Sequence, residues 1–165
     1  MAAEYLYMDF LRGYREYFGV TSACTEEEVT GIEEKLGVKF PRSYREVYLI
    51  LGKHRGFRFI DDNSYNFPQY EEMREGAEEI ISACETDFVL DKNMFIVGCF
   101  IENGIFYFIK LDEGDDPPVY RYEEGDKEYK LTAESCSLFI QQRTWYSGYL
   151  YLKEREDKKS GNIQG

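Results

Sequence analysis

The chain holds 165 residues, 43% of them hydrophobic and 17% aromatic, with 32 acidic against 20 basic side chains and a formal charge of -12. That length and aromatic content suit one domain with a real core and exclude a disordered chain. The charge repels the phosphate backbone of DNA or RNA, so direct nucleic-acid binding is disfavoured, while encounter with a basic protein is favoured.

In chain order, MAAEYLYMDFLRGYREYF lacks the basic start and apolar stretch of a signal peptide. No apolar run anywhere reaches the roughly 18 residues of a membrane helix, so no membrane association is expected and the location is read as cytoplasmic. Leu6, Phe10, Tyr14 and Phe18 recur every four residues and predict an N-terminal amphipathic helix over residues 1–19. Thr25 with Glu28 forms a capping-box pattern that opens a second helix, whose stripe is Val29, Ile32 and Leu36 and whose stop is Gly37. Pro41 then suits the start of a third helix, with Tyr44, Val47, Tyr48 and Leu51 on one face and Gly52 as its end.

FRFIDD, Phe57 to Asp62, alternates enough to predict a strand. A helix from about Gln69 to Glu85 follows, with Tyr70, Met73, Ala77, Ile80, Ile81 and Cys84 on one face and Gly76 weakening its middle by about 1 kcal/mol. The period then changes from near 3.6 to 2, and MFIVGCF, GIFYFIKLD, PVYRYEE and EYKLTA predict an antiparallel meander. Asn103-Gly104 suits a two-residue hairpin turn, Glu113 to Pro118 a wider loop, and Glu124 to Lys127 a third connection. From Ala133 the chain returns to helix, expected in two pieces parted near Ser147-Gly148, with a frayed tail over 153–165. The fold class expected is α+β, a single domain over 1–165 with a largely antiparallel sheet of five to six strands.

Candidate chemistry is sparse. His54 is the sole histidine and has no nucleophile beside it, so an exposed loop position is expected rather than catalysis. Cys24, Cys84, Cys99 and Cys136 are far apart and read as free thiols; with one histidine, they make no zinc pattern. Asp112, Glu113, Asp115 and Asp116 lack the spacing of a calcium loop and read first as a solvated hairpin connection. The same four carboxylates can instead face a basic cleft on a protein, in place of phosphate. Phe106, Tyr107, Phe108, Tyr120 and Tyr122 alternate, so half are expected in the core and half outward on a partner surface. There is no P-loop, dinucleotide fingerprint, nucleophile elbow or paired-histidine metal motif.

The order of elements resembles the SUKH superfamily, the family of cell-wall glucan synthesis regulator-like and bacterial immunity proteins. In IEEKLGVKFPRSYREVYLILG, the residues Ile32, Glu33, Leu36, Gly37, Phe40, Pro41, Tyr44 and Gly52 stand where that family's pattern has them. A second block fits through Phe106, Tyr107, Asp112, Pro118, Val119 and Tyr120, and ESCSLFI is similar to the closing helix, with Cys136 where an aromatic is usual. The family's Gly-rich turn ending in Asp is Glu102-Asn103-Gly104 here, a departure at the turn itself. The likeness spans about residues 25–141.

The resemblance implies a binding module with no cofactor and no catalytic residue. Bacterial proteins of this kind chiefly bind and neutralise a cognate toxin, often a nuclease; relatives elsewhere are regulators or scaffolds. A non-enzymatic immunity protein for a basic toxin is therefore expected, with a regulatory or scaffold protein that binds a cellular partner or small ligand as the alternative. The expected partner-binding residues are Asp61, Asp62, Asp112, Glu113, Asp115, Asp116, Tyr120 and Tyr122. No oligomeric state is implied.

Overall fold

The computed structural model describes residues 4–15, 22–52 and 70–161. It is α+β, as expected: among the described residues a four-stranded antiparallel sheet, against the five to six strands expected, runs in the order β1-β2-β3-β4 with helices on both faces. The strands are Met94–Phe100, Ile105–Lys110, Val119–Glu123 and Lys130–Ala133. The expected strand at Phe57 to Asp62 and His54 lie outside the described residues.

Helix α1, Glu26–Leu36, begins as the sequence dictates. The Thr25 hydroxyl accepts from the Glu28 N–H at 3.2 Å and the Glu28 carboxylate accepts from the Thr25 N–H at 2.9 Å, so two otherwise unpaired donors are satisfied reciprocally. Gly37 ends it in the left-handed conformation at φ 65°. Helix α2, Arg42–Leu51, follows Pro41 and buries Tyr44, Val47, Tyr48, Ile50 and Leu51. With α1, the first part of α4 (Cys136–Gly161) and the N-terminal segment, it covers one sheet face through Val97, Tyr107, Ile109, Val119 and Ala133. Helix α3, Tyr70–Ser82, covers the other face, where Met73, Ala77 and Ile80 meet Ile96, Cys99, Phe106, Phe108 and Tyr122.

Because both faces are covered, the alternation of β2 divides its residues between two cores rather than between core and solvent. Phe106 and Phe108 belong to the α3 side, Tyr107 and Ile109 to the other, and all four are buried. The expectation that half of the strand aromatics point outward is therefore corrected. An extra residue at Val97, between Ile96 and Gly98, shifts the β1–β2 register. It lets Ile96 and Cys99, three residues apart, both serve the α3 side, opposite Phe108 and Phe106, while Val97 faces the other core.

Three further expectations are corrected. The N-terminal segment holds a 3-10 helix, Asp9–Tyr14, that buries Met8 and Leu11 while Leu6 is 54% exposed. The turn at Asn103-Gly104 is a four-residue connection, since Phe100 pairs with Ile105 and a 3-10 turn, Ile101–Asn103, intervenes before the left-handed Gly104. Finally, α4 is one continuous helix of 26 residues that runs through Gly148 to Gly161, so the expected break and most of the expected frayed tail are helical.

Candidate functional site

The acidic loop between β2 and β3 is largely occupied by the fold. The Asp115 carbonyl accepts from the Ser43 N–H at 2.9 Å, in the first turn of α2. Asp116 accepts from both the N–H (2.8 Å) and the hydroxyl of Ser137, in the first turn of α4. Two helices with unpaired N-terminal donors thus start on one loop, and the negative charge of Asp116 lies at the favourable end of the α4 dipole. Asp112 accepts from the Asn93 amide at 2.6 Å. Glu113 accepts from the Tyr120 hydroxyl at 2.9 Å and lies 3.6 Å from the Lys110 ammonium.

Of these carboxylates, Asp112, Glu113 and Asp115 are exposed, while Asp116 is half-buried as a cap. Tyr120 is half-buried beside Lys110, whose ammonium sits 5.1 Å from the ring centres of both Tyr120 and Tyr129. Desolvation, then the bond to Glu113, pushes the Tyr120 hydroxyl above its ordinary pKa. Tyr122 is fully buried, stacked 5.2 Å from Phe106 and 4.6 Å from Phe88, so its ring is out of a partner's reach. Asp61 and Asp62 lie outside the described residues.

A stronger electrostatic feature lies on α3 and the segment after it. Residues 70–91 carry eight acidic side chains against one basic one, a net of seven of the chain's twelve negative charges. On the helix itself Glu71, Glu72, Glu75, Glu78 and Glu79 stand on the side away from Met73, Ala77 and Ile80, and all five are exposed. Arg74, the lone cation of that stretch, gives most of its donors to the chain beyond the helix. Its Nη1 donates to the carbonyls of Asp91 and Met94, each at 3.2 Å, its Nη2 to that of Leu90 at 3.1 Å, and its Nε to Glu78 at 3.0 Å. The guanidinium therefore clasps the turn into β1; with Glu78 paired to it and Glu71 paired to Lys35 at 3.2 Å, Glu72, Glu75 and Glu79 make no ion pair among the described residues. Counting charge by segment, rather than over the whole chain, is the sequence signal that finds this face.

Beside that face is a cleft of about 600 Å³ between the end of α1, the start of α3 and β1. Leu36, Val38, Met94 and Ile96 supply its apolar lining, Glu71 and Glu75 stand on its α3 wall, and Lys92 lies at its β1 end.

Burial pushes the Cys99 and Cys136 thiols up to about 12, which keeps them protonated and unreactive near neutrality. No group of three or more His, Cys, Asp or Glu that could hold a metal ion occurs among the described residues. No helix among them is long and apolar enough to cross a membrane.

Two comparisons with known proteins bear on this arrangement. The model of the SMI1/KNR4 family (SUKH-1) matches residues 23–142, within two residues of the 25–141 span read from the motifs. A protein of Bacillus subtilis (strain 168), named "Uncharacterized protein YnaB", is 27% identical over 106 residues, 60% of this chain and 67% of its own length. The matched span runs from just before α1 into α4 and contains the capping box, the acidic loop and the α3 face.

Proposed function

The chain belongs to the SMI1/KNR4 family (SUKH-1), and on that premise we propose that it is a non-catalytic binding module for a basic protein, acting as an immunity protein that occludes a toxin. The observation that carries this reading is the α3 face, where five exposed glutamates lie together against two basic neighbours, Arg74, which gives only its Nε to Glu78 and its other donors to backbone carbonyls, and Lys35, which reaches Glu71 through an exposed ion pair. Such a field accelerates encounter with a basic surface and sets which partners are rejected, more than it sets final affinity. The exposed carboxylates Asp112, Glu113 and Asp115 form a second, smaller acidic area. The protonated thiols of Cys99 and Cys136 support a reading in which no covalent step takes place.

The test is affinity capture from the native cells with low- and high-salt washes, followed by expression of the captured partner alone and together with this protein. The expected result is one basic protein, released by salt, that arrests growth alone and is neutralised by co-expression. Reversing Glu72, Glu75 and Glu79 to Lys should slow association with the purified partner about tenfold at low salt, with stability little changed. A captured partner that is acidic, or one whose association ignores both salt and this reversal, overturns the reading.

A further inference from the structure

Resting on the binding-module reading, we propose that the cleft between α1, α3 and β1 seats a short segment of the partner in which an apolar anchor side chain is flanked by arginine. Its volume, about 600 Å³, lies in the range of pockets that enclose small ligands or anchor side chains. Leu36, Val38, Met94 and Ile96 give it an apolar lining that a hydrated small cation would not use but a partner's aromatic ring would.

The charges around it select the flanking residues. Glu71 and Glu75 are four residues apart on α3, so they occupy one wall about one helical turn apart, the spacing of two successive cationic contacts. The C-terminal end of α1 also reaches the cleft through Leu36 and its cap, and the negative end of a helix dipole favours cations there. Glu71 is held by Lys35 at 3.2 Å, but both side chains are more than half exposed, so this ion pair is weak and exchangeable. Arg74 also borders the cleft, yet its donors are committed to carbonyls and Glu78. Lys92 at the β1 end disfavours a third cation and instead offers a donor to a backbone carbonyl of the seated segment.

The experiment needs no knowledge of the partner. The full chain, labelled at its methyl groups, is titrated with acetyl-Arg-Trp-Arg-amide, with acetyl-Arg-Gly-Arg-amide and acetyl-Glu-Trp-Glu-amide as controls. The first peptide should shift the methyls of Leu36, Val38, Met94 and Ile96 together, and neither control should do so. In the variant Glu71→Lys/Glu75→Lys, which alters exposed side chains only, that peptide should bind about tenfold more weakly. Equal shifts with the glycine peptide would mean attraction by charge alone and would overturn the proposal, as would shifts confined to the methyls of Leu111 and Val119, which flank the acidic loop. A basic partner that binds the full chain without moving these four methyls also overturns it, while leaving the binding-module reading in place. Conversely, a peptide that seats in the cleft supports it even where no basic partner is recovered, in which case only the broader reading fails.

Discussion

Glu46 is a carboxylate with 3% of its surface exposed on the buried side of α2. Its oxygens accept from three consecutive backbone N–H groups, those of Leu6, Tyr7 and Met8, each at 2.9 Å, and from Arg42 at 3.3 Å. A turn of backbone with all its donors on one side is costly to bury unless an anion meets it, and this residue is what docks the N-terminal segment on α2. Glu33 works similarly nearer the centre, accepting from the Phe40 N–H at 2.7 Å and from Arg45. Replacing Glu46→Gln keeps the shape but puts an amide nitrogen where an acceptor is needed. The expected cost is about 2–3 kcal/mol in urea unfolding, with faster hydrogen exchange at Leu6, Tyr7 and Met8 than elsewhere. An unchanged midpoint with those amides still protected would refute the docking role. Glu33 stands out in the sequence as a motif position without its role, whereas Glu46 does not announce itself, because it falls beside an apolar stripe and its backbone donors lie about forty residues away; periodicity sees only the stripe.

At the scale of elements, what was legible is what neighbours in sequence enforce. The Thr25-Glu28 capping box, the Gly37 stop, the start of α2 after Pro41 and the start of β3 after the two prolines all depend on residues within four positions of one another. Long-range packing set the rest. Gly76 reads as a weak point in α3, yet a Cβ there would lie 2.9 Å from the Cys99 sulfur and 3.0 Å from Ile101, so the glycine is what lets the helix approach β1. The length of α4 was missed because its charged tail, poor in apolar stripe, continues a helix already nucleated where Phe139 and Ile140 pack. The acidic loop was legible as a cluster but not as the common starting point of α2 and α4. Its role can be separated residue by residue. Asp116→Ala removes the acceptor for the α4 first turn and should cost about 1–2 kcal/mol, whereas Asp112→Ala, exposed and bonded only to Asn93, should stay within about 0.5 kcal/mol. Thermal unfolding of the two variants decides it, and equal losses would show that Asp116 caps nothing of consequence.

Across the two core layers and the surface, several groups that ionise above neutrality are shifted upward. Burial raises Tyr44 and Tyr48 in one core layer, and it raises Cys136 in that layer and Cys99 in the other, both to about 12 from an ordinary 9.0. The ammonium groups of Lys35 and Lys110 are also raised, chiefly by their bonds to Glu71 and Tyr129. In the unfolded chain the thiols release their protons near pH 9, whereas the folded protein retains them to about 12. The unfolded state therefore binds fewer protons through that window, and stability falls as pH rises. The contribution of the two thiols is complete below pH 9 and disappears as pH climbs through 12. The net charge of -12 grows more negative over the same range and adds self-repulsion of the same sign. Urea midpoints measured from pH 8 upward should decline steadily above about 9. Alkylation of the native protein near pH 8 should modify half-buried Cys84 first, with Cys99 and Cys136 reacting only as the whole molecule unfolds. A flat midpoint across this range, or modification of Cys136 in the native protein as fast as that of Cys84, would show that burial does not hold these thiols protonated. It would also remove one support for the non-catalytic reading, because a thiolate available near neutrality is a nucleophile.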